Sequence, residues 1–364
     1  MNDIPEGLQL TPFDPVFEKD PYGVYARLRT AAPVHFDGVS WTVSGYAEVA
    51  RLLKDARLSV DPRKVGQRRD PRADNSVTLR APDMMNLDDP EHGRQRRLVS
   101  RAFTPGSVSA FRSRIESIAE QLLADAGDEF DAIRDYADPL PAIVIAEYIG
   151  IGAEHHVDFK RWVNTLMLQG YPLPTESQWA AVVAADESMR GCIREIIAAR
   201  RNTPGDDLVS RLMDASASED EVVNLCSLLV GAGSFTTTDL IGNALLRFTE
   251  GDHERVPQLV EETLKLDPPS QSLRRWALED VEINGHTITA GSQVVLYIGA
   301  ANHDPEAGAH LAFGRGIHHC LGAALARLEA EVALEKLPPF RVVSHKRRKS
   351  ILFRGCSEVR IARI

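Results

Sequence analysis

The amino-acid sequence predicts a mainly α-helical protein with small β-sheets. Three observations support that fold class. Apolar residues recur with a period near 3.6 through most of the chain between Glu91 and Leu246. Within that region the apolar run from Val222 to Leu246 is too long and too apolar for a surface helix, so it is expected to cross the middle of the molecule. After Pro268-Pro269 the period changes to two, which is typical of half-buried strands.

The first ninety residues are expected to combine a helix, a hairpin and a loop. Pro21 to Arg29 has the pattern of a short amphipathic helix. Val34–Phe36 and Ser40–Ser44 are predicted as two strands that turn at Asp37-Gly38. The stretch from Arg57 to Met85 is rich in Arg, Asp and Pro and has no period. It is therefore predicted to be a long surface loop, and loops of that length tend to carry function.

Helices are predicted through the middle of the chain. Ser107 to Ala126 is expected to form one helix, because its apolar residues follow a period close to 3.6. Further helices are expected at Ala142–Ile149, Val157–Leu168, Glu176–Arg201 and Asp206–Ala215. The central helix should begin at a capping box, with Ser218 at the N-cap and Glu221 three residues later.

The last hundred residues are expected to contain strands and one more helix. Asn284-Gly285 predicts a hairpin turn between two short strands. A strand is expected at Ser292–Ile298, a helix at Leu321–Leu337 and further strands within Phe340–Ile364. The basic run from His345 to Lys349 lies between two strand-like segments, and a solvated hairpin tip is favoured over a docking patch.

Composition restricts the class of protein. The chain is 43% hydrophobic and 26% charged, without a linker, repeat or low-complexity tract, so one domain over residues 1–364 is expected. A net charge of -10 argues against a nucleic-acid binder. The sequence has no run of about eighteen apolar residues and no signal-like N-terminus, so no membrane association is expected. Its four cysteines lack paired spacing, which suits a cytoplasmic protein without disulfides or a zinc site. The protein is expected to be a monomer.

The strongest chemical signal is the segment Phe313–Gly322. Gly314 and Gly316 permit positive φ angles and close approach of the backbone to a flat ligand. Cys320 follows at the start of the predicted helix, where free backbone N–H groups and the helix dipole favour a thiolate. A thiolate there is a good axial ligand for haem iron. A lone cysteine is more often a small buried hydrophobe, but that alternative leaves the surrounding phenylalanine, glycines and histidine unexplained.

This segment resembles the haem-binding loop of the cytochrome P450 family, and the resemblance extends over nearly the whole chain. It implies a cofactor of haem (heme b) between the central helix and the cysteine loop, with Cys320 as the metal ligand. It further implies that Phe313 covers the sulfur and that His318 meets a propionate. Gly314 and Gly322 belong to the same cofactor-binding loop.

Two other segments resemble the propionate-binding parts of that family. The first contains His92 and Arg96, spaced as in the family's His-x-x-x-Arg helix, and the second contains Arg275 on a predicted strand. Cationic donors on carboxylates form strong hydrogen bonds. Each residue alone would more often be a surface salt-bridge residue. Their joint match to one family favours propionate binding.

The stretch Ala232–Thr238 resembles the oxygen-binding part of the family's central helix. The resemblance implies that Ala232 and Gly233 leave room for dioxygen and that Thr236 helps to deliver protons, which makes these three the candidate catalytic residues. The alternative is that the threonine hydroxyls only bond back to the preceding turn, and it applies more strongly to Thr237 and Thr238.

Three features depart from the family pattern. Phe235 stands where the family usually has Asp or Glu, so general acid help would have to come from elsewhere. The family's Glu-x-x-Arg pair appears as Glu262 and Lys265, and lysine cannot make the bidentate fork. An irregular segment before the haem loop is missing, and the stretch from Leu246 to Val256 is short. The sequence therefore predicts a reshaped face behind Cys320, where this family usually docks its electron donor.

These features predict a haem-thiolate oxidoreductase of the monooxygenase type. It would oxidise a small organic molecule, as family members that tailor bacterial natural products do, and would take electrons from a ferredoxin-type donor with altered docking. The pocket is expected to include Arg57–Met85, Gln169–Pro174 and Ser270–Leu273. One alternative is a lyase, isomerase, cyclase or peroxide-driven enzyme without an external electron donor. A second alternative is a non-catalytic scaffold with the same fold.

Overall fold

The computed structural model describes residues 15–66, 83–166, 168, 175–249, 252–350 and 352–364. Helices dominate these residues, as the sequence predicts. The α-helices are α1 (Pro15–Lys19), α2 (Pro21–Ala31), α3 (Tyr46–Leu52), α4 (Glu91–Ser100), α5 (Pro105–Ala110), α6 (Arg112–Asp125), α7 (Pro139–Ile149), α8 (His156–Leu166), α9 (Glu176–Asn202), α10 (Leu208–Asp214), α11 (Glu219–Leu245), α12 (Val256–Leu266), α13 (Ile298–Asn302) and α14 (Ala323–Lys336). The strands are β1 (Val34–Phe36), β2 (Trp41–Val43), β3 (Leu58–Ser59), β4 (Glu129–Asp131), β5 (Ser272–Ala277), β6 (Val281–Ile283), β7 (His286–Ile288), β8 (Gln293–Tyr297), β9 (Phe340–Arg347) and β10 (Cys356–Arg363).

Helix α11 is the predicted central helix. The Ser218 hydroxyl accepts from the Glu221 N–H, and the Glu221 carboxylate accepts from the Ser218 N–H, which completes the predicted capping box. The helix packs against α7, α9, α12 and α14. It is long and apolar enough for a membrane span, but 72% of its most apolar window is buried inside the protein. That burial is what a core helix requires.

Two apolar cores flank the position of the site. The larger core joins α11 to the helices around it, with fully buried side chains such as Ile115, Leu140 and Ile193. The smaller core lies under the sheet that contains β5 and β8, where Val294 and Leu296 are fully buried. The cavity described below opens between these two cores, because residues of both line it or pack beside it.

The main sheet has the strand order β1-β2-β8-β5-β3. β1 and β2 form the predicted antiparallel hairpin, β2 pairs parallel with β8, and β8 pairs antiparallel with β5. The order places β5, which carries Arg275, near one edge. The hairpin of β6 and β7 turns at Asn284 and Gly285, whose φ angles of 48° and 76° are those of a type I′ turn. The third sheet has the order β4-β10-β9.

Several sequence predictions are wrong in detail. The helix expected over Ser107–Ala126 is two helices, because the chain closes a tight turn at Phe111 between α5 and α6. The segment Arg57–Met85 is not entirely loop, since β3 pairs with β5 at the sheet edge. Most of that segment, residues 67–82, lies outside the described residues, as does Gln169–Pro174. The prediction of one domain stays a prediction.

The basic run His345–Lys349 is only in part the predicted solvated hairpin tip: it lies where the β9–β10 hairpin turns and His345, Lys346 and Lys349 are exposed, but Arg347 and Arg348 are half-buried. Its first three residues belong to β9. The Arg347 guanidinium donates to the Asn243 side chain, and Arg348 is held by Asp239 with Nη2 3.0 Å from Oδ1. The run therefore attaches the C-terminal hairpin to α11. The physical reason is that Asp239 and Asn243 are buried polar groups of α11, and this hairpin supplies partners to both.

Candidate functional site

One cavity brings together every residue that the sequence singles out for cofactor binding or catalysis. It lies between α11 and the loop that leads into α14. Its described lining includes His92, Arg96, Ala232, Gly233, Thr236, Arg275, Phe313, Gly314, His318, Cys320 and Gly322. Residues more than two hundred positions apart meet here because α4, α11, β5 and the loop surround the same space. The separate roles of these residues stay predictions.

The loop before α14 has the backbone shape that its glycines predict. Gly314 and Gly316 have φ angles of 67° and 77°. A β-carbon on Gly316 would lie 2.9 Å from the carbonyl oxygen of Leu53, so a larger residue would force the loop away from its neighbour. The Cys320 N–H donates to the Phe313 carbonyl at 2.9 Å and closes the loop. The sulfur of Cys320 is therefore held at a defined place on the cavity wall.

Cys320 lies just ahead of α14, which begins at Ala323, two residues later than predicted. Its side chain is exposed toward the cavity but enclosed by protein elsewhere. Burial raises the pKa of the Cys320 thiol, while the Gly322 N–H, Arg96 and Arg327 act to lower this pKa. A bound metal would reverse this balance in favour of the thiolate, because a coordinating thiol is deprotonated.

The cavity lining also contains a rim of basic groups, namely His92, Arg96, Arg275 and His318. Both ring nitrogens of His92 and Nε2 of His318 are buried without a hydrogen bond in the described residues. Nδ1 of His92 is 3.5 Å from Asp89, which is too long for a good hydrogen bond. The two rings lie with their centroids 4.2 Å apart. The two histidines are thus in close contact, and three of their ring nitrogens lack a hydrogen-bond partner in the described residues.

The electrostatics of the basic rim are those of a site for an anion. Burial lowers the pKa of Arg275 to about 10. Burial, with help from His92 and Arg275, lowers the pKa of His318 to about 3. Arg96 uses one guanidinium nitrogen on the His319 carbonyl at 2.7 Å and lines the cavity. Asp88 and Asp89 lie near enough to act on these groups, but three ring nitrogens of the two histidines keep no hydrogen bond in the described residues. Buried polar groups left unpaired are costly, so the rim favours an anionic partner in the cavity.

The basic rim and Cys320 together fit haem. The two propionates of haem would supply the missing acceptors for the orphaned nitrogens of His92 and His318 and for Arg275. Cys320 on the same cavity wall provides a sulfur ligand. Gly322 leaves free space where a β-carbon would stand, which suits a flat group lying close to the backbone.

The opposite wall of the cavity is formed by α11. Thr236 lines the cavity, and its hydroxyl donates to the Ala232 carbonyl at 3.0 Å. The back bond expected of a helical threonine is therefore present, and the hydroxyl oxygen keeps its lone pairs for a group in the cavity. Ser234 and Thr238 make the same kind of bond away from the cavity. The part of α11 that lines the cavity carries no ionisable side chain.

Phe235 is not part of the described cavity lining. The Arg348 guanidinium lies over its ring at 4.2 Å, and Phe353 meets it edge-on with centroids 5.1 Å apart. The residue that replaces the family's acid thus packs against the C-terminal hairpin. It supplies no proton donor to the cavity.

Sequence reasoning missed Glu329, which also lines the cavity. It is 3% exposed, its Oε2 has no partner in the described residues, and burial raises its pKa well above the usual range. A signal was available in the sequence. Glu329 lies four residues after Leu325 and four before Ala333, so helical spacing places it on the buried face of α14.

Known proteins resemble this chain in sequence and in structure. A family model described as Cytochrome P450 matches residues 254–307. The chain is 34% identical over 353 residues to the putative cytochrome P450 YjiB of Bacillus subtilis, with 87% of this chain and 86% of the relative covered. It is 34% identical over 367 residues to the 6-deoxyerythronolide B hydroxylase of Saccharopolyspora erythraea, with 88% of each covered. The crystal structure of P450BioI in complex with an acyl carrier protein ligated to hexadec-9Z-enoic acid matches with a TM-score of 0.87 and 30% identity, over 96% of this chain and 99% of that one.

Proposed function

The chain belongs to the cytochrome P450 family, and from that membership we propose that it hydroxylates an apolar small molecule in the making of a bacterial natural product. It is an oxidoreductase of the monooxygenase type, with haem and an axial cysteine thiolate as its cofactor. The observation that carries the proposal is the cavity that joins Cys320 and the basic rim to the Thr236 wall of α11. The name of the relative 6-deoxyerythronolide B hydroxylase supports hydroxylation as the reaction.

The residues of this chain divide the work by position. Haem, when bound, supplies the iron that activates dioxygen for insertion of one oxygen atom into an organic substrate. Cys320 would hold the iron through its sulfur, and the basic rim would bind the propionates. Ala232 and Gly233 would leave room in the cavity beside α11, since neither side chain extends far into it. Thr236 accepts a hydrogen bond from a protonated group or water there and holds the proton near the reacting atoms.

The substrate should present an uncharged, apolar part to the iron. Besides Thr236 and Thr237, the residues of α11 that line the cavity are apolar or glycine, including Leu228, Leu229 and Leu240. Met84 and Leu273 continue this apolar lining from other elements. A charged group placed here would lose its hydration without gaining a partner among the described residues. Burial of apolar area is therefore the main source of affinity.

The test is spectral titration followed by turnover. Apolar candidates such as macrolactones, fatty acyl chains and steroids would be added to the ferric holoprotein. A ligand that displaces water at the iron should shift the Soret band. Turnover with a ferredoxin, its reductase and isotopically labelled dioxygen should place one labelled oxygen atom in the product. A protein purified without haem, or a product without the label, would contradict the proposal.

A second candidate function is peroxide-driven or donor-independent chemistry by the same site. The specific observation that favours it is Phe235, which replaces the expected acid and packs on Arg348 outside the cavity lining. Proton delivery along α11 then depends on Thr236 and water. Turnover with peroxide alone, at a rate equal to or above that with ferredoxin, would select this candidate.

We place electron donor docking on the basic side of α4, in a cytoplasmic monomer. Arg97 and Arg101 are exposed, one helical turn apart, and have no ion pair within the described part of the chain. They share a surface cleft with Arg94 and Arg211. An acidic ferredoxin would be attracted to this cluster by long-range charge. Docking of the donor is altered relative to other family members, because the face behind Cys320 has a different shape. The segment that the family has before the haem loop is missing there, and Lys265 is half-buried.

Reversing these charges is expected to slow reduction without changing the haem. The double substitution Arg97→Glu and Arg101→Glu should lower the rate of reduction by a bacterial ferredoxin at low ionic strength by roughly tenfold or more. The difference should shrink as salt is added, because salt screens exposed charges. Stopped-flow absorbance of the reduced protein under carbon monoxide measures the rate. Arg161→Glu on α8 is the matched control and should leave the rate unchanged, whereas equal slowing by both would contradict docking on α4.

A further inference from the structure

Glu262 and Lys265 do not form the pair that the family resemblance implies. Glu262 is exposed and accepts a hydrogen bond from Arg255, which ends the short helical turn before α12. Lys265 has no ion pair with any residue that the structure describes. Among the residues that the structure describes, neither side chain forms a hydrogen bond or an ion pair with the loop that carries Cys320. Such bonds from α12 to the loop therefore come from another residue.

The neighbouring residue, Glu261, makes the contacts that the pair lacks. Its carboxylate accepts from Arg327 of α14, with Nε 2.5 Å from Oε1 and Nη2 3.3 Å from Oε2. It also accepts from Nε2 of His310 at 3.1 Å. Burial would raise the pKa of Glu261, but Arg327 and His310 outweigh it and the pKa is lowered. A bidentate contact between a guanidinium and a carboxylate fixes the relative orientation of the two groups as well as their distance.

Arg327 connects this carboxylate to the cysteine loop. Its guanidinium lies over the ring of Phe313, with the central carbon 4.5 Å from the ring centroid. The arginine is thus held between Glu261 on one side and Phe313 on the other. Phe313 in turn accepts the N–H of Cys320 through its carbonyl. A chain of direct contacts therefore runs from α12 through α14 to the cysteine.

His310 makes the second connection to the same loop. Its Nδ1 accepts from the Ala312 N–H at 3.2 Å, so the neutral ring carries its proton on Nε2 and donates it to Glu261. The ring is 11% exposed, which protects both bonds from water. His310 is the last residue of the shortened connection from α13. The hydrogen bond from His310 therefore connects the Glu261 carboxylate directly to the start of the loop.

The shortened connection is held at its other end by α13. Asn302 accepts from the Leu311 N–H at 2.7 Å and donates to the Leu264 carbonyl of α12 at 3.3 Å. Tyr46 donates its hydroxyl to the Ala309 carbonyl at 2.7 Å. These bonds bring residues 309–311 to α12 without the longer segment that the family has. Glu261 is positioned to receive His310 because of them.

We infer that three residues, Glu261, Arg327 and His310, position the Phe313–Cys320 loop so that it can hold haem. They take the role that the family resemblance gives to the Glu262–Lys265 pair, and we call them the loop clamp. The three are positioning residues, since none of the three lines the cavity. The inference rests on the proposed function, because it takes haem to be bound through Cys320. It assigns the supporting role to a carboxylate one residue before the one that motif matching selects.

Adjacent substitutions of like size test the clamp. Glu261→Gln should accelerate transfer of haem from the purified holoprotein to excess apomyoglobin by roughly tenfold, the effect of losing one charge-assisted hydrogen bond. It should also increase the fraction of reduced, carbon monoxide-treated protein without the thiolate-type Soret band. Glu262→Gln is the matched control and should behave like the wild type in both measurements. Equal effects of the two substitutions, or a larger effect of Glu262→Gln, would overturn the inference.

A second variant keeps the test decisive if Glu261→Gln yields no holoprotein. Arg327→Lys keeps the charge but loses the fork and the flat contact with Phe313, so an intermediate rate of haem transfer is expected. A rate equal to that of the wild type would count against the clamp. A wild-type protein whose spectrum lacks the thiolate band would refute the proposed function. A normal wild-type band with equal transfer rates in all variants would refute the clamp alone.

Discussion

The substitution Cys320→Ser is expected to abolish the thiolate-type Soret band of the reduced, carbon monoxide-treated protein and to reduce monooxygenase turnover to background. A serine hydroxyl stays protonated near neutral pH, so the iron would lose its anionic sulfur ligand and the electron donation that favours O–O cleavage. The basic rim is untouched by this change and still offers donors to both propionates. Haem should therefore bind more weakly and with a changed spectrum, while the fold remains. Absorption spectroscopy and haem-to-protein stoichiometry measure the two effects separately.

The matched control is Cys192→Ser. Cys192 lies on α9, is buried and does not line the cavity. A serine there costs some stability, because it places a hydroxyl among apolar neighbours, but should leave the thiolate band unchanged. Retention of that band by Cys320→Ser would show that another cysteine binds the iron. The assignment of the cysteine loop would then be wrong.

The parts of the site that sequence predicts well are those set by local chemistry. The loop backbone has positive φ angles at residues 314 and 316, a conformation that favours glycine, and Cys320 follows six residues after Gly314. The loop could therefore be identified from consecutive residues. The same holds for the capping box of α11 and for the Asn284-Gly285 turn, whose partners lie within a few positions.

The parts that sequence predicts poorly depend on partners far along the chain. Glu261 and Glu262 are adjacent and identical in type, so only the packing of α12 decides which one meets Arg327, 66 residues later. Arg348 looked like part of a solvated basic tip, yet its partner Asp239 lies 109 residues earlier. Pairings of this kind follow from how helices and hairpins pack, and no local pattern contains them. Glu329 is an intermediate case. Helical spacing predicts that it lies on the buried face of α14, but no local pattern predicts that this face lines a cavity.

The second large effect is expected from Arg348→Met, which removes the partner of a buried carboxylate. Asp239 is fully buried, and Arg348 is 17% exposed. Arg348 also covers the ring of Phe235, so the substitution removes a cation–π contact worth about 0.5–1 kcal/mol as well. The free energy of unfolding is expected to fall by about 1–3 kcal/mol at pH 8. Urea unfolding of the holoprotein, followed by tryptophan fluorescence, measures the change.

The size of this loss should depend on pH. Burial raises the pKa of Asp239 to about 7 from a usual 3.8, even though Arg348 acts to lower it. In the wild type, the stability associated with this group is therefore fully present below pH 3.8 and is lost as the pH rises through 7. Without Arg348 the folded-state pKa must rise further, so the loss continues above pH 7. The difference between variant and wild type should then grow by about 1.4 kcal/mol per pH unit above 7 and be smaller at pH 6, where Asp239 is protonated in both proteins.

A second substitution separates the charge from the packing. Asp239→Asn placed in the Arg348→Met background removes the ionisable group, so the pH-dependent part of the loss should disappear while the lost contact with Phe235 remains. If the loss at pH 8 stays the same in the double variant, the charge of Asp239 is not its cause and packing alone explains it. Rescue by the amide would show that Asp239, one helical turn beyond Thr236, can ionise as the pH rises through 7 because the C-terminal hairpin delivers Arg348 to it. The basic run would then stabilise α11 by pairing with its buried carboxylate. Because α11 forms the cavity wall that faces Cys320, the same contact would support the site.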